Sequence, residues 1–288
     1  MTAITEPPSS REIHDIAHLK LVPRRYYGRK IAAGFIILLL LLLVRAFAVG
    51  QIEWDIVGRY LFAPVILKGI WNTMLMTVCA MALGIFLGVV FAVMRISGNP
   101  VMEKVALGYI WVFRGAPALV QLLLWFNLAL VFPTIGIPGL FHVNTVDVMT
   151  PFVATLLGLG LQQGAYTSEV VRSGFLAVDS GQYEAAQAIG MTRMRTLRRI
   201  VLPQAMRVIV PPIGNEVISM VKLTSLASVI QFSEILHNAQ VIYYANARVL
   251  ELLLVASFWY LVIVTILSMI QSRIERHFAR GQRGVSKL

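Results

Sequence analysis

Apolar residues in this chain come in long unbroken blocks. They show neither the three-and-four spacing of an amphipathic helix nor the alternation of a half-buried strand. A helix needs about 20 mostly apolar residues at 1.5 Å rise to cross a bilayer, so the blocks read as membrane spans. The first is 31–49, IAAGFIILLLLLLVRAFAV, and the second is 69–94, GIWNTMLMTVCAMALGIFLGVVFAVM. A third begins near Val105 and is continuously apolar from Ala116 to Phe132, a fourth runs from Pro151 to about Thr167, and a sixth covers 252–272. Basic residues precede the first block, but the 30-residue polar leader is long for a signal peptide, so it reads as a span. Gly84 and Gly88, like Gly160 and Gly164, are four apart, a spacing that lets helices approach closely in lipid. Packing within the chain is the expectation for both pairs, with a subunit interface as the alternative.

The fifth span is the difficult one, because 201–232 contains Arg207, Pro211, Pro212, Glu216 and Lys222. Charge bias decides it. If this stretch did not cross, the tail carrying Arg273, Arg276, Arg280, Arg283 and Lys287 would lie opposite the basic loop 172–199, against the positive-inside rule. Six crossings place the N-terminal tail, the 95–104 connection, the 172–199 loop and the C-terminal tail together on the cytoplasmic side. The opposite connections 50–68, 133–150 and 233–251 carry little net positive charge.

Composition agrees and narrows the class. Of 288 residues, 58% are hydrophobic and 14% charged, which excludes an ordinary soluble enzyme. The net charge of +11 would suggest nucleic acid in a soluble chain, but here it tracks the topology, so no nucleic-acid partner is expected. A single cysteine, Cys79, leaves no intrachain disulfide or cysteine-based metal site. The fold class expected is an all-α polytopic membrane protein with six transmembrane helices. Its parts are a tail 1–30, a first helix 31–49, an external connection 50–68, a membrane domain 69–272 containing a cytoplasmic loop 172–200, and a basic tail 273–288.

The longest cytoplasmic connection carries the clearest local design. Gln182 to Ile189 favours a short helix bounded by Gly181 and Gly190, with Asp179 or Ser180 near its start and Gly190 suited to a left-handed stop. A second short basic helix is expected after Thr192, leading into the next span. Such a helix, glycine turn and helix on the inner face suit docking: Ala185 and Ala186 present little side chain, and Glu184 offers one directed charge. The alternatives are a soluble-type helix-turn-helix facing phosphate and a plain solvated connector.

Charged and polar groups inside the membrane are the remaining candidates. Asn215, Ser219 and Lys222 fall at i, i+4 and i+7, one stripe of a helix, with Glu216 beside it. Pro211 and Pro212 just before them are expected to break the hydrogen-bond ladder, as helices do where they line a water-filled cavity. The stripe either faces such a cavity or packs against neighbouring helices. Arg114, beside Gly115 and Pro117, is a weaker pathway candidate that snorkelling or subunit packing also explains. Glu169 and Arg172, three apart, are expected to form an ion pair. No carboxylate cluster, His-rich metal motif or G-x-S-x-G elbow is present.

Glu184-Ala185-Ala186, then Gly190, then 200–203 (IVLP) resembles the EAA signature of ABC importer permeases. FRGAP (113–117), LVQ (119–121), AYTSEVVRSG (165–174), GQYEAAQAIGMT (181–192), LPQAMR (202–207) and KLTSLASVI (222–230) resemble the polar amino-acid permeases of the histidine, glutamine, arginine and opine type. The likeness extends from about Gly69 to Ser272. Ala116 stands where Thr is usual, Leu223 where Asp is usual, and residues 1–68 add a tail and a span that short members lack. The resemblance implies a type I importer core made of the last five spans, in the bacterial inner membrane with both termini cytoplasmic. It also implies a second permease, identical or related, a dimer of ATPase subunits docked at Glu184, Ala185, Ala186 and Gly190, and an extracytoplasmic binding protein. With no G-x-x-x-x-G-K-[ST] loop in the sequence, ATP-Mg belongs on the partner and the chain itself needs no cofactor or metal. Transport of a polar amino acid by alternating access follows, with an ion-coupled secondary carrier as the alternative.

Overall fold

The structure is a computed structural model that describes residues 27–50, 52–137 and 141–278. Most of the expected cytoplasmic tails, 1–26 and 279–288, lies outside the described residues. The chain divides into two compact units between Ile52 and Glu53. In the first, α1 (Tyr27–Val49) has no buried residue and is long and apolar enough to cross a membrane.

The second unit is a helical bundle. A short helix, α2 (Trp54–Leu61), precedes α3 (Pro64–Ile96), whose N-terminus takes Pro64 where a missing N–H costs nothing. Next comes α4 (Pro100–Gly115), capped by the Asn99 side chain, which accepts from Val101 N and Met102 N. It is followed by α5 (Ala118–Phe126) and an antiparallel hairpin of β1 (Thr134–Ile137) and β2 (Phe141–Asn144). After one turn, α6 (Thr145–Val148), come α7 (Pro151–Leu176), α8 (Ser180–Ala188) and α9 (Arg193–Thr196). A π-helical turn (Leu197–Val201) feeds α10 (Leu202–Leu223), which tightens into a 3-10 segment (Thr224–Ile230) before α11 (Ile235–Asn246) and α12 (Val249–Phe278).

Contacts between helices fix their directions. Gly84 abuts Gln163, Gly88 abuts Thr167, Gly160 abuts Leu83 and Gly164 abuts Leu87, so α3 and α7 run parallel at close range. A Cβ at Gly84 would come 2.5 Å from Gln163 Cγ, and one at Gly160 2.7 Å from Leu83 Cδ2, so neither position has room for one. Both expected glycine pairs therefore serve packing within the chain. Gly174 meets Ile209 while Glu216 meets Gln163 and Thr167, so α10 runs against α7. Pro211 meets Gln271 and Val221 packs with Leu252, Val255 and Ile263, so α12 runs against α10. The connections after α3 and α7 and the C-terminal end of α12 thus share one end of the bundle. The α2 helix, the hairpin and α11 share the other.

Three expectations change. The third span is not one rod: α4 and α5 meet at 100° across Ala116 and Pro117, because proline cannot continue the helix of the preceding turn. Gln121 stabilises this elbow by donating from Nε2 to the carbonyls of Phe113 (3.0 Å) and Ala116 (2.9 Å), the exposed end of the α4 ladder. The apolar run that continues to Phe132 leaves α5 at Phe126 and heads for the hairpin, which periodicity does not predict. The second change concerns Pro211 and Pro212. They sit inside a continuous α10 and do not divide it. Third, the count of six is not reproduced by length and apolarity alone. Among the described residues four helices qualify, and a fifth if α4 and α5 count as one span. The difficult stretch 201–232 is among those that qualify, within a helical run from Arg193 to Ile230. It is α7, 26 residues long, that falls short, because it carries Thr155, Gln163, Thr167 and Ser168, all buried against its neighbours.

Candidate functional site

Two regions gather the candidate residues. At the end of the bundle shared by α3, α7 and α12, three residues after α7 lead into α8. Asp179 caps α8, its Oδ1 accepting from Gly181 N at 2.7 Å. The helix stops at Gly190, φ +74°, with Met191 N donating to Ala186 O and Gly190 N to Gln187 O. That pair of bonds is the Schellman closure, which a left-handed residue makes possible and glycine makes cheap. The helix starts two residues before the expected Gln182, and the expected basic helix after Thr192 is α9, which runs on through the π-helical turn into α10.

Burial sorts the docking residues. Glu184 and Ala185 are exposed, and the Glu184 carboxylate has no hydrogen bond or ion pair among the described residues. Ala186 is 1% exposed, so it packs inward and offers no surface to a partner. Its small side chain serves the closeness of α8 to the chain that follows.

Deeper in the bundle, α10 presents two faces. Asn215, Ser219 and Lys222 are exposed along one side. Glu216 points the other way. Its Oε2 accepts from Gln163 Nε2 at 2.6 Å and Thr167 Oγ1 at 3.2 Å, while Gln163 Nε2 also reaches Thr167 Oγ1 at 3.0 Å. Gly84 and Gly88 of α3 close the back of this cluster. At the inner end of the stripe, Asn215 Nδ2 donates to Glu275 Oε1 at 3.2 Å, and Gln271 Nε2 donates to the same oxygen at 2.9 Å and to Pro211 O at 2.8 Å. A prolines-bearing turn is thus held by side chains of α12.

Arg114 does not join this group. It stands 4.0 Å from Glu169 and over the Tyr166 ring, with its charge centre 5.0 Å from the centroid. Glu169 also accepts from Arg95 and, at 3.2 Å, from Arg172 NH2, so the expected pair of Glu169 and Arg172 is one side of a larger network joining α3, α4 and α7. Sequence reasoning missed Gln163, Thr167, Gln271 and Glu275. Gln163 and Thr167 were visible as a polar i, i+4 pair inside a span, whereas Gln271 and Glu275 fell in what read as the end of a span and the start of a tail.

Comparison with known proteins places the chain. The family of binding-protein-dependent transport system inner membrane components matches residues 84–280. The arginine transport system permease protein ArgU of Corynebacterium glutamicum is 43% identical over 262 residues, 90% of this chain and 83% of that protein. The glutamine transport system permease protein GlnP of Escherichia coli is 32% identical over 78% of this chain and 97% of its own length. A crystal structure of an amino acid ABC transporter with histidines superposes with a TM-score of 0.69 at 32% identity, covering 79% of this chain and all of that one. The chain therefore belongs to the binding-protein-dependent transport system inner membrane components, as a membrane-spanning permease subunit of an ABC importer and not as an enzyme.

Proposed function

We propose that this subunit carries a polar amino acid, or an opine-like derivative, inward across the bacterial inner membrane, by alternating access powered by ATP-Mg on a separate ATPase dimer. The observation that carries this reading is the exposed stripe of Asn215, Ser219 and Lys222 on a membrane-spanning helix. Lys222 lies in the last turn of α10, within the longer helical run Arg193–Ile230, and exposing a charge to lipid costs several kcal/mol, so a water-filled pathway is the environment that suits it. A second permease, identical or related, closes that pathway from the other side, and an extracytoplasmic binding protein supplies the substrate. Glu216, held by its two α7 donors on the opposite face, ties α10 to α7 behind the stripe.

Coupling runs through α8. Glu184 and Ala185 meet the ATPase, Ala186 and Gly190 hold the helix in shape, and closure of the ATPase dimer pushes on the α7 and α10 rods that flank them. Both termini and this end of the bundle lie in the cytoplasm, where the basic residues concentrate. Relatives transport arginine, glutamine and nopaline, which supports a polar, nitrogen-rich substrate. Nothing favours the ion-coupled carrier.

The test is uptake by vesicles reconstituted with permease, ATPase and binding protein. Import should require internal ATP and survive collapse of ion gradients, and Ser219→Cys should react with a small polar thiol reagent at a rate that changes on ATP trapping. Uptake driven by a proton gradient without ATP would overturn the transport reading, and an inert Ser219→Cys in every state would remove α10 from the pathway.

A further inference from the structure

The four residues of α9 and the π-helical turn after it hold Arg193, Arg195, Arg198 and Arg199. Three of them, Arg195, Arg198 and Arg199, line an open pocket of about 490 Å³ together with Thr192 and Met194. All three are exposed and have no acid partner among the described residues, whereas Arg95, Arg114, Arg172 and Arg248 are each paired. Thr192 occupies the N-cap position without making a side-chain cap bond, so its hydroxyl is also open to a ligand. The coupling helix α8 does not line this pocket. Its residues Tyr183 and Gln187 line a separate one of about 340 Å³ with Met191, Arg193, Thr196 and Leu197.

A cluster of guanidinium groups around a hydroxyl recognises phosphate oxygens, because each planar fork can give two parallel charge-assisted bonds. Directly beyond the pocket, Leu202 and Met206 are exposed at 39% and 37%. At 100° per residue they lie on the side of α10 roughly opposite Asn215, Ser219 and Lys222. If that stripe faces the pathway, Leu202 and Met206 face lipid. Phosphate donors and an apolar track thus follow one another along the same helical path, as a headgroup and an acyl chain do. The π turn, which carries Arg198 and Arg199, widens the helix just before Leu202.

We propose that Thr192, Arg195, Arg198 and Arg199 bind the phosphate of an anionic phospholipid of the inner leaflet, with its acyl chain against Leu202 and Met206. The lipid then grips the same rod that α8 drives, so lipid composition tunes coupling. This rests on the reading above that this end of the bundle is cytoplasmic, but its readout is lipid retention and not transport.

The test uses the permease–ATPase complex purified from membranes and delipidated, then offered phosphatidylglycerol or phosphatidylcholine and examined by native mass spectrometry. The wild-type complex should retain phosphatidylglycerol selectively. Each arginine replaced by glutamine should weaken retention about fivefold, and all three on the order of a hundredfold. Because removing three positive charges can disturb insertion, a second variant, Arg195→Lys with Arg198→Lys and Arg199→Lys, keeps the charge but loses the forks. It should still insert and should retain phosphatidylglycerol several-fold more weakly. Equal retention by wild type and the lysine variant would overturn the pocket, leaving only diffuse attraction. Displacement of the lipid by millimolar glycerol phosphate would overturn the lipid and leave a free phosphate as ligand. Loss of the ATPase from the glutamine variant with lipid still bound would assign the arginines to protein docking instead. In each of these cases ATP-driven uptake by the wild type would leave the transport reading intact.

Discussion

At the scale of residues, two left-handed positions make opposite demands. Gly190 sits at φ +74° with open space around its would-be Cβ, so a substitution there is limited by backbone and not by crowding. Gly190→Val should cost about 1–2 kcal/mol locally, undo the α8 stop, and lower both ATPase recovery and uptake while the protein still inserts. Normal uptake together with normal ATPase co-purification would remove Gly190 from the coupling role. Ala247 caps α11 at φ 58°, a conformation in which a Cβ is unfavourable. Ala247→Gly should therefore stabilise the purified protein by up to about 1 kcal/mol, read as a raised thermal midpoint with unchanged transport. The Gly190 stop was legible in the sequence because a glycine after a short polar helix has few other purposes. Ala247 was not, because alanine carries no signal for a left-handed turn, and only the observed backbone reveals it.

Elements were legible where lipid is their solvent and obscure where protein is. The first, second and sixth blocks could be read from apolar runs alone, since lipid-facing surface must be apolar, as exposed Leu75, Phe86 and Leu261 are. The span α7 is shielded by α3, α4, α5 and α10 and so tolerates polar residues that weaken its signal. Pro117 stood in the sequence at the elbow between α4 and α5, yet the apolar run around it read as one span, and the brace of the elbow carried no signal at all. Gln121 is 5% exposed, its Nε2 joins two carbonyls, and its Oε1 has no partner among the described residues. Gln121→Leu should leave two part-buried carbonyls without their donor, at a cost of about 1–3 kcal/mol. It should loosen the elbow, measurable as faster proteolysis near Ala116 in detergent. Unchanged cleavage and thermal midpoint would show that the elbow is held by Pro117 and packing alone.

For the whole molecule, the alternating helix directions make a prediction about sidedness. With Cys79 replaced by serine, a cysteine introduced at Gln187 should be reached by an impermeant thiol reagent only from the cytoplasm, and one at Gly136 only from outside. Labelling of both from one side would break the proposed topology, in which these two ends of the second unit lie on opposite sides of the membrane. The parallel contact of α3 with α7 has a mechanical consequence. Gly84, Gly88, Gly160 and Gly164 leave no slack between the two rods, and neither can slide past the other without driving a backbone into a side chain. They behave as a single strut, and α8 is attached to its inner end by only three residues. A push on α8 therefore arrives at Gln163 and Thr167 as displacement, not as bending. Those are the two groups that hold Glu216, so under the coupling proposed above a force delivered at α8 would be felt as a change in how tightly one carboxylate is held roughly ten residues in from the α7 end at Leu176.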